Sequence, residues 1–150
     1  MSKKYVAWDE LHHHISLARL DKEYPEVDLI VSIGSGGMVP GVIISKILNV
    51  PVVNIGVKSY SVDNTQTYKA EWYQKFQFRV SKHKKILVVD DINDTGYTLA
   101  AVNNYLMSTY LKETDVEFLT IFSKQRSVFP CRSLQEVSND TWIEFPWEVK

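Results

Sequence analysis

Three aspartates fall within five consecutive positions of the stretch KKILVVDDINDTGYTL, which runs from Lys84 to Leu99. Asp90 and Asp91 end an apolar run, and Asp94 opens the group Asp94-Thr95-Gly96-Tyr97-Thr98. Adjacent acids at a strand end repel each other, so stability gives no reason for them; a Mg²⁺ ion or sugar hydroxyls would use them. A turn that opens a helix presents several backbone N–H groups, with the helix dipole behind them. A phosphate monoester fits there, with the Thr95 and Thr98 hydroxyls as further donors. Gly96 permits close approach or a positive φ. The same turn also reads as a capped helix with no ligand, since Asp and Thr are common N-caps. The paired acids ahead of it favour a ligand, and three carboxylates beside a phosphate cradle suggest a phosphorylated sugar. No Gly-Lys-Ser/Thr phosphate loop and no Gly-x-Gly-x-x-Gly fingerprint occurs, which weakens kinase and dehydrogenase readings.

The elements that must hold this group can be read from periodicity. Trp8, Leu11, Ile15 and Ala18 lie at helical spacing, which predicts an amphipathic helix from Trp8 to Leu20. His12, His13 and His14 within it point in three directions, so they do not converge on a metal. Val27–Gly34 is a short apolar run that predicts a buried strand, followed by the turn GSGGMVP and a helix over GVIISKILN. PVVNIGVKSY predicts a second strand, KKILVVDD a third, TLAAVNNYLMSTYL a helix, and VEFLTIFSK a fourth strand. The polar, aromatic-rich span between Ser61 and Lys85 suits a lid, a binding arm or a pair of exposed strands. Alternating strands and helices predict an α/β fold with a mainly parallel twisted sheet flanked by helices. Ligands of such sheets bind beyond the carboxyl ends of the strands. GSGG, KSY, DDINDTGYT and SKQ all fall at those ends.

Composition sets the remaining bounds. At 150 residues, the chain is expected to be one domain over 1–150. A formal charge of -1 argues against the concentrated basic face that nucleic acid requires. No apolar run is long enough to span a membrane, and MSKKYVAWDE does not read as a signal peptide. A single cysteine, Cys131, excludes an internal disulfide and suits a reducing cytoplasm.

ILVVDDINDTGYT resembles the phosphoribosyl-diphosphate signature of the type I phosphoribosyltransferases: a strand, two acids, two residues, then Asp-Thr-Gly-x-Thr. YVAWDELHHHISLARL, SGGMVPGVIISKIL, SYSVDN, LTIFSK and DTWIEFPWE are similar, in order, to segments of the bacterial xanthine-guanine branch. Lys58-Ser59-Tyr60 is similar to the start of the mobile loop in hypoxanthine-guanine enzymes. The resemblance implies the type I fold, a mobile loop near 60–81, and a small base-binding hood over about 124–150. It implies purine salvage: phosphoribosyl diphosphate (PRPP) and a 6-oxopurine give a nucleoside monophosphate and pyrophosphate, with Mg²⁺. Positive charge builds on the ribose ring as the anomeric bond opens, and Asp90 and Asp91 would hold its hydroxyls and oppose that charge. Asp91 would also serve the metal, and Asp94 would accept the proton of the attacking imidazole nitrogen. Thr95, Gly96, Tyr97 and Thr98 would cradle the 5-phosphate, while Ser35, Gly36, Lys58, Ser59 and Tyr60 would meet the rest of PRPP. Lys124 would donate to the 6-oxo group, Trp142 would stack on the purine, and Ile143 would offer backbone contacts. Glu148 stands where relatives keep an acid that assists a second, water-bridged metal. A homo-oligomer, dimer or tetramer, is implied as well.

Two departures matter. Relatives usually have Ser-Arg-Gly-Gly where this chain has Gly34-Ser35-Gly36-Gly37, so either Ser35 and the backbone amides meet the pyrophosphate, or Lys58 or Arg79 substitutes, or pyrophosphate binding is weak. Tyr97 replaces a small residue and is expected to crowd the phosphate turn. The missing arginine keeps a second reading open, a regulatory protein that binds PRPP or a nucleotide without turnover.

Overall fold

The structure is a computed structural model that describes residues 2–61, 68–75, 83–109 and 114–148. Its elements in chain order are β1 (Ser2–Tyr5), α1 (Trp8–Leu17), α2 (Leu20–Glu23), β2 (Leu29–Gly34), α3 (Met38–Leu48), β3 (Val52–Ser61), β4 (Tyr68–Gln74), β5 (Lys85–Asn93), α4 (Tyr97–Thr109), β6 (Asp115–Lys124), β7 (Arg132–Val137) and β8 (Thr141–Glu144), with a short 3-10 turn over Pro146–Glu148.

Six strands form one sheet in the order β4-β3-β2-β5-β6-β7. All neighbours are parallel except β3 and β4, which run antiparallel. β5 lies at the centre with β2 and β6 on either side, and the two-residue period of a strand divides its side chains between two cores. Leu87 and Val89 join Leu11, Ile15, Ile44 and Phe122 on one face, whereas Ile86 and Val88 join Val57, Leu99, Val102 and Leu106 on the other. A parallel sheet covered on both faces needs such unbroken apolar runs. The same requirement makes the carboxylates at the end of β5 conspicuous.

The predicted α/β class and the mainly parallel sheet are as found. The N-terminal helix is shorter than expected, because Arg19 adopts the left-handed conformation at φ 50° and separates α1 from α2. α3 begins three residues earlier than the spacing indicated and ends at Asn49, a left-handed C-cap. β1, β7 and β8 were not foreseen. β7 lengthens the main sheet, and β8 pairs in parallel with β1, Trp142 opposite Lys3. The small hood over the sheet therefore draws on both ends of the described chain. Of the span 60–81, Tyr68–Gln74 is the edge strand β4; 62–67 and 76–81 lie outside the described residues.

Candidate active site

β5 carries its apolar run straight into Asp90 and Asp91, and α4 starts four residues beyond the strand's end. The Asp90 carboxylate is buried and accepts a 2.9 Å hydrogen bond from the Asp91 backbone N–H. Asp91 in turn accepts from Ile92 N–H at 2.7 Å. Burial holds Asp90 well above the usual carboxylate range, and the neighbouring Asp91 charge adds to this. Burial also pushes Asp91 up to about 6; hydrogen bonds from its neighbours oppose the rise, and the Glu148 charge reinforces it. The pair is thus short of positive charge.

Two adjoining cavities open at this point. One, of about 420 Å³, is lined by Ser35, Gly36, Lys58, Asp90, Asp91 and Glu148 among others. The other, of about 270 Å³, runs along Asp90 to Gly96 with Ser59, Thr98 and Leu99. Asp91 and Glu148 face the same space and repel each other, so a divalent cation between them would relieve both. Two carboxylates are too few to enclose an ion; the hard oxygens of a phosphorylated ligand and water would complete its shell. Among the described residues, no cluster of three acidic, histidine or cysteine side chains offers an alternative metal site. The residues present therefore fit Mg²⁺ bound together with its substrate. Gly36 is set so tightly against this group that an added Cβ would overlap the Asp91 carboxylate, whose carbon would lie 2.6 Å away.

The turn after β5 has the features of an anion cradle. Gly96 has φ +88°, and an added Cβ would stand 2.5 Å from Ser127 Oγ and 2.7 Å from Phe129 N. The Tyr97 N–H donates to Thr95 Oγ1 at 3.4 Å, and Ala100 N–H makes the first helical bond to Gly96 C=O. The helix therefore begins at this turn, with its dipole aligned on it. Ser59 and Thr98 share a hydroxyl–hydroxyl bond of 2.8 Å, which ties β3 to this turn.

Tyr97 lines neither cavity; its ring stacks on Tyr68 with centroids 3.5 Å apart and planes 18° from parallel. Crowding of the cradle is therefore not what its bulk produces. Ser35 and Lys58 share a cavity wall, so a cation does stand near the position of the absent arginine. Arg79 and the side chain of Tyr60 lie outside the described residues.

Lys124, at the end of β6, is buried with its ammonium 3.4 Å from Asp94 Oδ2. Arg126 grips the other oxygen of Asp94, with Nε at 2.6 Å and an NH2 nitrogen at 2.5 Å. Sequence reading missed Arg126; its signal was only its place two residues after a strand-end lysine. Trp142 is exposed on β8 and Ile143 is packed into the core beside it, and neither lines the two cavities.

Comparison with known proteins agrees with this arrangement. Residues 8–150 match the phosphoribosyl transferase domain family. The chain is 33% identical to the xanthine-guanine phosphoribosyltransferase of Cereibacter sphaeroides, over 97% of this chain and 86% of that one. It is 30% identical to the protein of the same name from Idiomarina loihiensis, again over 97% and 86%. The crystal structure of a purine phosphoribosyltransferase from Pyrococcus horikoshii Ot3 superimposes with a TM-score of 0.81 at 27% identity, covering 100% of this chain and 97% of that one. The paired aspartates, the threonine turn and the sheet that carries them are those of a phosphoribosyltransferase, and the chain belongs to that family.

Proposed function

We propose that the protein transfers the 5-phosphoribosyl group from PRPP to a 6-oxopurine, releasing pyrophosphate and a nucleoside monophosphate for purine salvage. The observation that carries this reading is the junction of a buried and a half-buried carboxylate with an anion cradle, open to one pair of cavities. The 5-phosphate sits on Thr95 to Thr98, at the start of α4 where the helix dipole favours an anion. Asp90 and Asp91 receive the ribose hydroxyls and place negative charge beside the ring as its anomeric carbon loses the pyrophosphate oxygen. Asp91, with Glu148 beside it, would hold Mg²⁺, which would supply charge for the departing pyrophosphate. Lys58, Ser35 and Gly36 bind that group from the opposite wall.

Base choice follows from Asp94 and Lys124. In a purine, N7 and the 6-oxo group lie side by side on one edge. A carboxylate and an ammonium 3.4 Å apart match that edge, so Asp94 accepts the N7–H proton as N9 attacks, rather than the proton of the attacking nitrogen itself, and Lys124 donates to oxygen. Adenine presents a donor where Lys124 needs an acceptor, so it is rejected. Trp142 stacks on the ring from the hood, with Ile143 giving backbone contacts. The wider reading includes a homo-oligomer and a cytoplasmic setting.

A spectrophotometric assay with Mg²⁺ and PRPP tests this, offering guanine, hypoxanthine, xanthine and adenine separately. Turnover of 6-oxopurines and little of adenine is expected, with an Asp94→Asn variant slower by about a hundredfold or more. No turnover with any base would refute it.

A further inference from the structure

Asn93 is an unusual residue for its position. It ends the central strand, is only 2% exposed, and interrupts an apolar face that a β-branched residue would fill better. A buried amide is costly unless every donor and acceptor is met. Here they are met by one segment. Asn93 Nδ2 donates to Phe129 C=O at 2.7 Å and contacts Cys131 Sγ at 3.6 Å, while Oδ1 accepts from Ser127 Oγ at 2.6 Å.

That segment is the seat of the phosphate turn. Val128 N–H donates to Thr95 C=O at 2.8 Å. Ser127 and Phe129 fill the space beneath Gly96 so closely that a methyl group there would collide with both. Ser127 Oγ also accepts from Phe129 N–H at 3.1 Å, so the segment is tied to itself as well as to Asn93. The chain of contacts runs from the rigid end of β5, through Asn93, to residues 127–129, and back up to Thr95 and Gly96. A turn held from below keeps its N–H groups aimed at the cavity before any ligand arrives, which lowers the ordering cost of binding.

We infer that Asn93 is a positioning residue for the 5-phosphate of PRPP, acting through Ser127 and Phe129 on the Thr95–Gly96 turn. The inference rests on the proposed function, since it assumes that this turn receives the phosphate. Asn93 lies along the smaller cavity, but both ends of its amide are taken up by Ser127 and Phe129, so its part is to hold the turn rather than to bind. Its effect should therefore fall on ligands that carry a 5-phosphate and spare those that do not.

The test compares wild type with Asn93→Leu, Ser127→Ala and the double variant. For Asn93→Leu, KM for PRPP should rise about tenfold, the scale of one lost buried hydrogen bond, while KM for guanine stays within about twofold. Ser127→Ala should raise KM for PRPP by a smaller factor. The double variant should be no worse than Asn93→Leu, because both changes break one path. Calorimetric titration supplies a reading independent of turnover: the preference for guanosine monophosphate over guanosine should shrink by a similar factor. A lower Tm with unchanged KM for PRPP and unchanged monophosphate preference would overturn the inference, leaving Asn93 a merely structural residue. Additive effects in the double variant would also overturn it. Should Asn93→Leu fail to fold, Ser127→Ala alone decides, and an unaltered KM for PRPP and monophosphate preference there counts against the inference. Wild type that binds guanosine monophosphate without turning over any base would break the proposed function alone, and the titrations would still judge Asn93.

Discussion

Replacing Asp91 with Asn should make the ligand-free protein more stable while removing its activity. The Asp91 carboxyl is pushed up to about 6, above all by burial and further by the Glu148 charge. The folded state therefore holds the proton more tightly than the unfolded chain does. For a raised carboxylate, stability is greatest at low pH and falls as pH rises, between the ordinary value of 3.8 and about 6. A gap of about two pH units, at about 1.4 kcal/mol each, gives about 3 kcal/mol lost at neutral pH. Solvent in the open cavity screens part of the charge, so about 2 kcal/mol is the expected gain for Asp91→Asn at pH 7.5. Asn keeps an oxygen to accept the Ile92 N–H and carries no charge to desolvate. At pH 5 wild-type Asp91 is mostly protonated, and the advantage should narrow to about half. Urea unfolding in chelator-treated buffer at the two pH values measures both quantities. Adding Mg²⁺ with PRPP should then raise the stability of wild type and leave the variant nearly unchanged. A variant no more stable than wild type at pH 7.5, or an advantage that does not narrow at pH 5, would refute the electrostatic reasoning.

Gly36→Ala forces a methyl group onto the Asp91 carboxylate, so the Mg²⁺ concentration for half-maximal rate should rise and kcat/KM fall about a hundredfold. A metal titration of the steady-state rate would show it. Removing free Mg²⁺ with EDTA should abolish turnover reversibly, with rate returning on re-addition; an unaffected rate would count against Asp91 and Glu148 as ligands. Arg126→Ala releases one side of Asp94 at an exposed site, so stability should change by less than about 1 kcal/mol. Its kcat should nevertheless fall about tenfold, because a mis-aimed acceptor is a poor base; kcat within twofold of wild type would show that Lys124 alone orients the carboxylate. Lys124→Gln should cut the preference for guanine over adenine by about tenfold or more, read as the ratio of kcat/KM values.

What could be read from the sequence was what is local. Each buried strand of the parallel sheet needs an unbroken apolar run, so β2, β3, β5 and β6 announce themselves. The turn after β5 is equally plain, since two acids and a threonine-glycine-threonine group have few uses beyond a strand. β1, β7 and β8 escaped because they are short, carry polar residues, and gain their hydrogen bonds from partners far along the chain. Arg19 escaped because a left-handed residue other than glycine leaves little mark on helical spacing. Arg126, Asn93 and Ser127 take their meaning from contacts 32 to 36 positions away, which only the folded chain supplies.

The pairing of β1 with β8 bears on the order in which the protein can be assembled. Ser2 meets Thr141 across 139 positions of chain, so the hood that carries Trp142 closes only when the last described strand is in place. β5 and α4, which carry Asp90, Asp91 and the threonine turn, lie earlier, between Lys85 and Thr109, and residues 127–129 beneath that turn also precede β8. During synthesis from the N-terminus, β1 therefore waits unpaired while the central sheet condenses. Such long-range closure is slow compared with local contacts. A tag or truncation at β1 would disturb the pairing that sets Trp142 and Ile143 while leaving the strand and turn of Asp90 and Asp91 built. The β1–β8 pair and the carboxylate-bearing end of β5 thus belong to parts of the chain that form at different times.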